Sequence, residues 1–182
     1  MSNHKPKLVV VGDGGVGKTS IVVRYTRDQF TQEYEPTLAE NYTTRIQVDD
    51  DTVIEIEIAD TAGQDDFKAL RDKFMAEGDV FLVVYSITDS RSLQMADTLL
   101  EQISILHENE RFKFILAGNK CDLEDQRQVS KLDGKALTDK YHGRFLETSA
   151  KSGINVKETF VEIGKLLVEK NEKQEGNCCL IC

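Results

Sequence analysis

"KLVVVGDGGVGKTS" (Lys7 to Ser20) decides how the chain folds. Its first six residues, Lys7 to Gly12, form a β-branched apolar run with no alternation, which reads as a strand buried on both faces. Gly12, Gly17, Lys18 and Thr19 then satisfy G-x-x-x-x-G-K-[ST], and a helical stretch runs from Lys18 to about Asp28. Glycines let the backbone curl so that several N–H groups converge on one anion, and the helix N-terminus adds positive potential. Lys18 can reach the outer phosphates of a nucleotide, and the Thr19 hydroxyl can bind Mg²⁺. The flanking strand and helix favour that reading over a plain glycine-rich turn.

Outward from this stretch, strands and helices alternate. "YTTRIQV" and "VIEIEIA" are two strands around "DDD", a hairpin pattern in which Ile54, Ile56 and Ile58 alternate with Glu55 and Glu57. "DVFLVVYS" and "FKFILAGNK" read as further buried strands, and "RFLETSA" as a shorter one. Ala96, Leu100, Ile103 and Leu106 recur at helical spacing, as do Val156, Phe160, Ile163 and Leu167. The alternation implies βαβ units and a mostly parallel sheet covered on both faces. The fold class is therefore α/β, with one domain over residues 1–170 and a flexible tail over 171–182, where periodicity is lost.

Composition agrees with one domain. A chain of 182 residues can bury roughly 70% of its unfolded surface without disulfide staples. Lys plus Arg is 23 against 32 Asp plus Glu, a net charge of −9 that excludes nucleic acid as partner. Cys121 stands alone and Cys178, Cys179 and Cys182 crowd the end, so no disulfide framework is spaced through the fold. No secretory start signal is visible, and "VFLVVYSI" (Val80 to Ile87) is too short to cross a bilayer.

In such a sheet, ligands bind beyond the carboxyl ends of the strands. "GNKCD" follows a buried strand there. Guanine presents two donors on one edge, N1–H and the exocyclic amino group, and a carboxylate such as Asp122 accepts both. Adenine presents an acceptor at N1, which a carboxylate repels. Asn119 can bond elsewhere on the base, and the Lys120 stem can cover its face. "TSAK" (Thr148 to Lys151) is a weaker signal whose backbone N–H groups could meet guanine O6. In "ADTAGQDD", Asp60 is placed to hold Mg²⁺ through water, Gly63 to offer an N–H to the γ-phosphate, and Gln64 to orient an attacking water. Alone, that stretch also fits a turn with an Asx cap. Thr37, in "YEPTLAENY", offers a hydroxyl that could ligate Mg²⁺ when γ-phosphate is present.

These five motifs, which follow one another along the chain in the family's order and at its spacing, resemble a small GTPase of the Ras family, in the branch of Ras, Rap and Ral, and the resemblance covers residues 5–182. "CDLEDQRQVS" leaves no room for a Rho-type insert helix, and "IADTAGQ" lacks the tryptophan usual in Rab-like proteins. The resemblance implies the P-loop NTPase (small G protein) fold: a six-stranded, mostly parallel sheet with one antiparallel edge, and five helices. It implies nucleotide binding by Gly14, Gly15, Val16, Gly17, Lys18, Thr19, Ser20, Phe30, Tyr34, Pro36, Thr37, Gly63, Asn119, Lys120, Asp122, Ser149, Ala150 and Lys151. Phe30 would lie edge-on to the guanine, Tyr34 over the phosphates, and Gly14 where a side chain would crowd the catalytic water. Mg²⁺ would be held by Thr19, Thr37 and Asp60, and Gln64 and Lys18 would be catalytic. Thr37 and Gly63 would anchor two switch segments, about 30–41 and 60–75, which γ-phosphate holds and hydrolysis releases.

The implied activity is slow hydrolysis of GTP to GDP. The implied partners are a guanine-nucleotide exchange factor, a GTPase-activating protein and an effector with a Ras-binding domain. No arginine lies between Phe30 and Asn41, so the activating protein should supply one. The effector-reading residues are Tyr34, Glu35, Pro36, Thr37, Leu38, Ala39, Glu40, Asn41 and Tyr42. Ala39-Glu40-Asn41 departs from the family's Glu-Asp-Ser, which sets the usual effectors in question. A binding-only relative would need Thr37, Gln64 or Gly14 broken, and none is. A P-loop ATPase or small kinase conflicts with Asp122 and with the absence of a basic lid segment.

"CLIC" fits C-a-a-X, with Cys179 as the prenylated thiol. Cys182 belongs to neither usual X class; its small size favours farnesyl. One lipid gives only marginal binding. From Lys165 onward three lysines face three glutamates, 3 − 3 = 0, so palmitoylated Cys178 is the expected second signal. The expected location is the cytoplasmic face of the plasma membrane, and internal membranes.

Overall fold

The computed structural model describes residues 5–31, 39–61, 68–108 and 112–176. Six strands form one sheet in the order β2-β3-β1-β4-β5-β6. They are β1 (Lys7–Gly12), β2 (Ala39–Gln47), β3 (Val53–Thr61), β4 (Val80–Ser86), β5 (Phe114–Asn119) and β6 (Arg144–Glu147). Five α-helices lie among the described residues: α1 (Lys18–Arg27), α2 (Lys68–Glu77), α3 (Ser90–Leu106), α4 (Lys131–Lys140) and α5 (Val156–Gly176). Every strand pair is parallel except β2 with β3. The six strands, five helices and single antiparallel edge are those the sequence reading expects.

The apolar strands do not alternate because helices cover both faces. Leu8 and Val10 of β1 join α1 and α5 through Ile21, Val22, Phe160 and Ile163. Val9 and Val11 point the other way, to Met75 of α2, Leu99 and Ile103 of α3 and Leu137 of α4. The hairpin closes through an Asp49 carboxylate that accepts from the N–H groups of Asp51 and Thr52. Its Ile56 and Ile58 are fully buried, while Glu55 and Glu57 are exposed.

One core position differs from the sequence expectation. Leu106 is 40% exposed, and Leu99 takes the buried place beside Ala96, Leu100 and Ile103. The α3 helix ends there, so its last turn overhangs the core. Helix α5 runs to Gly176, six residues beyond the expected 170/171 division. Residues 171–175 contain no proline or glycine, so nothing in the backbone stops the helix until Gly176.

Tyr85 on β4 is fully buried, and its hydroxyl has no hydrogen-bond partner among the described residues. The ring fills space that two glycines leave. A Cβ at Gly118 would meet that hydroxyl at 2.7 Å and one at Gly134 at 2.5 Å. Burial, and then the Glu147 carboxylate, push the phenol well above its ordinary pKa. An unpaired buried hydroxyl costs about 1–3 kcal/mol. Tyr85→Phe should therefore match or exceed the parent in thermal stability, by up to about 4 °C per kcal/mol recovered. A fall in Tm on calorimetry would mean that the hydroxyl is bonded.

Candidate nucleotide site

β1 is the switch point of the sheet: β3 lies on one side and β4 on the other. The loop leaving β1 therefore opens into the crevice where α/β sheets bind ligands. Two of its glycines are dictated by space. A Cβ on Gly12 would collide with the Val84 carbonyl oxygen, and one on Gly17 with Asn119 Nδ2. Gly17 also sits at φ 98°, a left-handed conformation that favours glycine.

Lys18 opens α1, and its ammonium folds back into the loop. Nζ donates to the carbonyl oxygens of Gly12 at 3.0 Å and Asp13 at 2.6 Å. The residue is only 7% exposed. Burial lowers its pKa to about 8; Asp60 and Asp13 oppose that shift, and Arg71 adds to it. A desolvated cation among amide dipoles is a site that an anion stabilises.

Asp60, near the end of β3, is fully buried. Its Oδ2 accepts from the Thr19 hydroxyl at 2.6 Å. Its Oδ1 is buried without a partner among the described residues. Burial raises its pKa to about 6, against the pull of the Thr19 hydrogen bond and Lys18, with Glu40 adding to the rise. A carboxylate with one orphaned oxygen beside a hydroxyl is a set of hard oxygen donors that fits Mg²⁺.

Sequence reasoning missed Arg71. It lies on α2, is 4% exposed, and its Nε lacks a partner among the described residues. Its effect on Lys18 places it within electrostatic reach of the phosphate loop. The available signal was spacing: Arg71 and the fully buried Met75 are four apart, so the arginine shares the buried face of α2.

The Asn119–Asp122 turn, which the sequence assigns to the base, joins the Gly12–Thr19 loop directly. Asn119 Nδ2 donates to the Val16 carbonyl at 2.8 Å, and Lys120 Nζ to the Gly15 carbonyl at 2.8 Å. Lys120 holds φ 66°, uncommon for a side-chain-bearing residue. The Asn119 Oδ1 accepts from Thr148 Oγ1 at 3.3 Å and from the Ala150 N–H at 3.2 Å. Asp122 Oδ1 accepts from Ser149 Oγ at 2.6 Å. The two loops that the sequence assigns to guanine are thus brought together, but the Ala150 N–H is bonded to Asn119. Lys151 is exposed at the rim, Ser20 is half-buried on α1, and Phe30 is half-buried against the core.

Ala39 opens β2 at the sheet edge, followed by Glu40, Asn41 and Tyr42. The Tyr42 hydroxyl donates to Glu40 Oε2. The Arg27 guanidinium lies 5.7 Å from the Tyr42 ring centroid. The Glu40 carboxylate, one methylene longer than the aspartate of the Glu-Asp-Ser pattern, is therefore tied by its own strand. Tyr34, Glu35, Pro36, Thr37, Leu38, Gly63, Gln64, Cys178 and Cys179 lie outside the described residues.

A six-stranded α/β sheet with a Lys18–Thr19–Asp60 cluster at its switch point defines a P-loop nucleotide-binding protein. Comparison with known proteins narrows this class. Residues 7–169 match the Ras family. The chain is 42% identical over 174 residues to "Ras-like protein rasB" of Dictyostelium discoideum, covering 96% of this chain and 87% of that one. It is 37% identical over 186 residues to "Ras-like protein 2" of Mucor circinelloides f. lusitanicus, covering 96% and 93%. With "Ras-like protein" of Laccaria bicolor the identity is 39% over 170 residues, covering 93% and 81%. The chain belongs to the Ras family of small GTPases, and its activity is GTP hydrolysis.

Proposed function

We propose that the chain is a membrane-anchored GTP/GDP switch that hydrolyses GTP slowly and signals to effectors while GTP-bound. The observation that carries this reading is the pair of bonds from Asn119 and Lys120 to the carbonyls of Val16 and Gly15. They bring together at one site the loop proposed to read the base and the loop proposed to hold the phosphates. Asp122 accepts from guanine N1–H and the amino group. Lys18 leaves the loop carbonyls for the phosphates, where its charge stabilises the transition state, and Gln64 orients the attacking water. Mg²⁺, when bound by Thr19, Thr37 and Asp60, supplies neutralisation of the phosphate charge. A nucleotide-exchange assay tests the reading: GTP and GDP should exchange with the bound nucleotide and ATP should not. Equal competition by ATP would overturn it.

Thr19→Asn should weaken GTP about tenfold more than GDP, because the lost hydroxyl interaction is on the order of 1.4 kcal/mol and GTP depends more on the metal. Titration of both nucleotides with and without Mg²⁺ decides the point. Equal losses would remove Thr19 from the metal shell.

The proposed partners are an exchange factor, a GTPase-activating protein supplying an arginine, and an effector with a Ras-binding domain that reads the segment from Tyr34 to Tyr42. The Glu40–Tyr42 bond, with Ala39 beside it, supports an effector choice unlike that of Glu-Asp-Ser relatives. The anchor rests on "CLIC": prenylated Cys179, with palmitoylated Cys178 as the second signal, places the protein on the cytoplasmic face of the plasma membrane and on internal membranes. No helix among the described residues is long and apolar enough to cross a membrane. Cys179→Ser should leave the protein wholly in the soluble fraction, and Cys178→Ser should leave weak binding to internal membranes. A Cys179→Ser protein that still pellets with membranes would sink the lipid anchor.

A further inference from the structure

Arg127 lies between the base-reading turn and α4, and its guanidinium is fully bonded. Toward Glu124, Nε donates to Oε1 at 2.8 Å and Nη2 to Oε2 at 2.6 Å. Toward Glu147, Nη1 donates to Oε1 at 2.6 Å and Nη2 to Oε2 at 3.0 Å. Nη1 also donates to the Val129 carbonyl at 2.9 Å. Arg127 and Glu147 are largely enclosed, at 16% and 9% exposure, while Glu124 is 66% exposed.

The two carboxylates stand at the roots of the two base-reading loops. Glu124 begins the 3-10 turn two residues after Asp122. Glu147 ends β6, immediately before Thr148 and Ser149. The carbonyl of Glu147 also accepts from Asn155 Nδ2 at 2.7 Å, which closes the far end of the 148–155 loop. Beyond the guanidinium, the contacts among the described residues of the two loops are Ser149 Oγ on Asp122 Oδ1, the Cys121 N–H on the Thr148 carbonyl, the Thr148 N–H on the Gly118 carbonyl, and the two bonds to Asn119 Oδ1.

We infer that Arg127 is a positioning residue for guanine recognition: its fork buckles Glu124 to Glu147 and so holds Asp122 and Ser149 at base-reading distance. The inference rests on the guanine reading proposed above. An isolated exposed ion pair would do little. Arg127 differs because a planar fork grips two carboxylates at once, with the Glu147 half of the contact shielded from water. Lysine offers a single point donor and cannot reproduce that grip.

The test measures dissociation of GDP and IDP from the full chain, with melting curves alongside. Inosine lacks the exocyclic amino group, so the GDP-over-IDP preference reports how well Asp122 is placed. Arg127→Met and Arg127→Lys should both cut that preference about tenfold, chiefly by faster GDP release. Glu124→Gln, which removes charge from only the more exposed half of the fork, should give a smaller cut and keeps the test open if the arginine variants fold poorly. Equal acceleration of GDP and IDP, which general loosening would produce, overturns the inference. So does a parent-like preference in all three variants. A parent chain with no preference for GDP overturns the guanine reading itself, and the inference with it.

Discussion

Gln64→Leu and Gly14→Val are each expected to abolish activator-stimulated GTP hydrolysis while leaving GTP and GDP affinity near that of the parent. Leucine cannot orient water, and a valine at position 14 occupies the space that the water and an incoming arginine need. The fold offers Gly14→Val no obstacle: a Cβ there meets nothing within 4 Å, and the residue is not among those with positive φ. The substitution should therefore act on the chemistry and not on folding. Stimulation in Ras itself is about 10⁵-fold over a turnover of roughly 10⁻⁴ s⁻¹, and that scale is carried over from this relative. Single-turnover hydrolysis with a Ras-type activating domain should show nearly all of the stimulation gone. Parent-like stimulated rates in both variants would remove Gln64 and Gly14 from the mechanism.

The second large effect is expected from Asp122→Asn, which should move base preference from guanine toward xanthine. In the proposed reading the carboxylate accepts two guanine donors, and charge-assisted hydrogen bonds contribute about 1.5–3 kcal/mol each. Losing both should weaken GTP by about 10²–10⁴-fold. An amide can donate to the additional xanthine carbonyl, so XTP should gain while GTP loses. Ser149 Oγ, which donates to Asp122 in the parent, can still donate to the asparagine oxygen, so the loop should keep its shape. Competition binding with GTP, XTP and ATP checks this. Unchanged preference would mean that another group reads the base.

Much of the site was legible because its chemistry is local. Gly12, Gly17, Lys18 and Thr19 fall within one short loop, and the Asn119–Asp122 turn follows a strand with a clear buried pattern. The glycines are explained by close contacts that the motif alone implies only as a tight turn. The burial of Arg71 was signalled only by its spacing from Met75, and the roles of Arg71 and Arg127 were not legible. A buried arginine and a surface arginine look alike in sequence, and their roles depend on which distant carboxylate or cation they face. The length of α5 was not legible for a different reason: after Lys170 the apolar periodicity that marks a helix is lost, although nothing in the composition of residues 171–175 breaks the backbone.

By itself, the sequence determined the α/β class, the buried strands, the hairpin around Asp49–Asp51 and the loops that carry nucleotide chemistry. These follow from apolar spacing and from residue types needed close together in the chain. Only the tertiary structure decided how those loops meet. Asn119 reaches Val16 across 103 residues, Thr19 reaches Asp60 across 41, and Arg127 reaches Glu147 across 20. Each of these contacts depends on strand order. Because β1 lies between β3 and β4, and β5 lies beside β6, loops far apart in the chain end at one edge of the sheet. Burial then makes their hydrogen bonds obligatory, because a polar group left unpaired there costs more than the bond contributes.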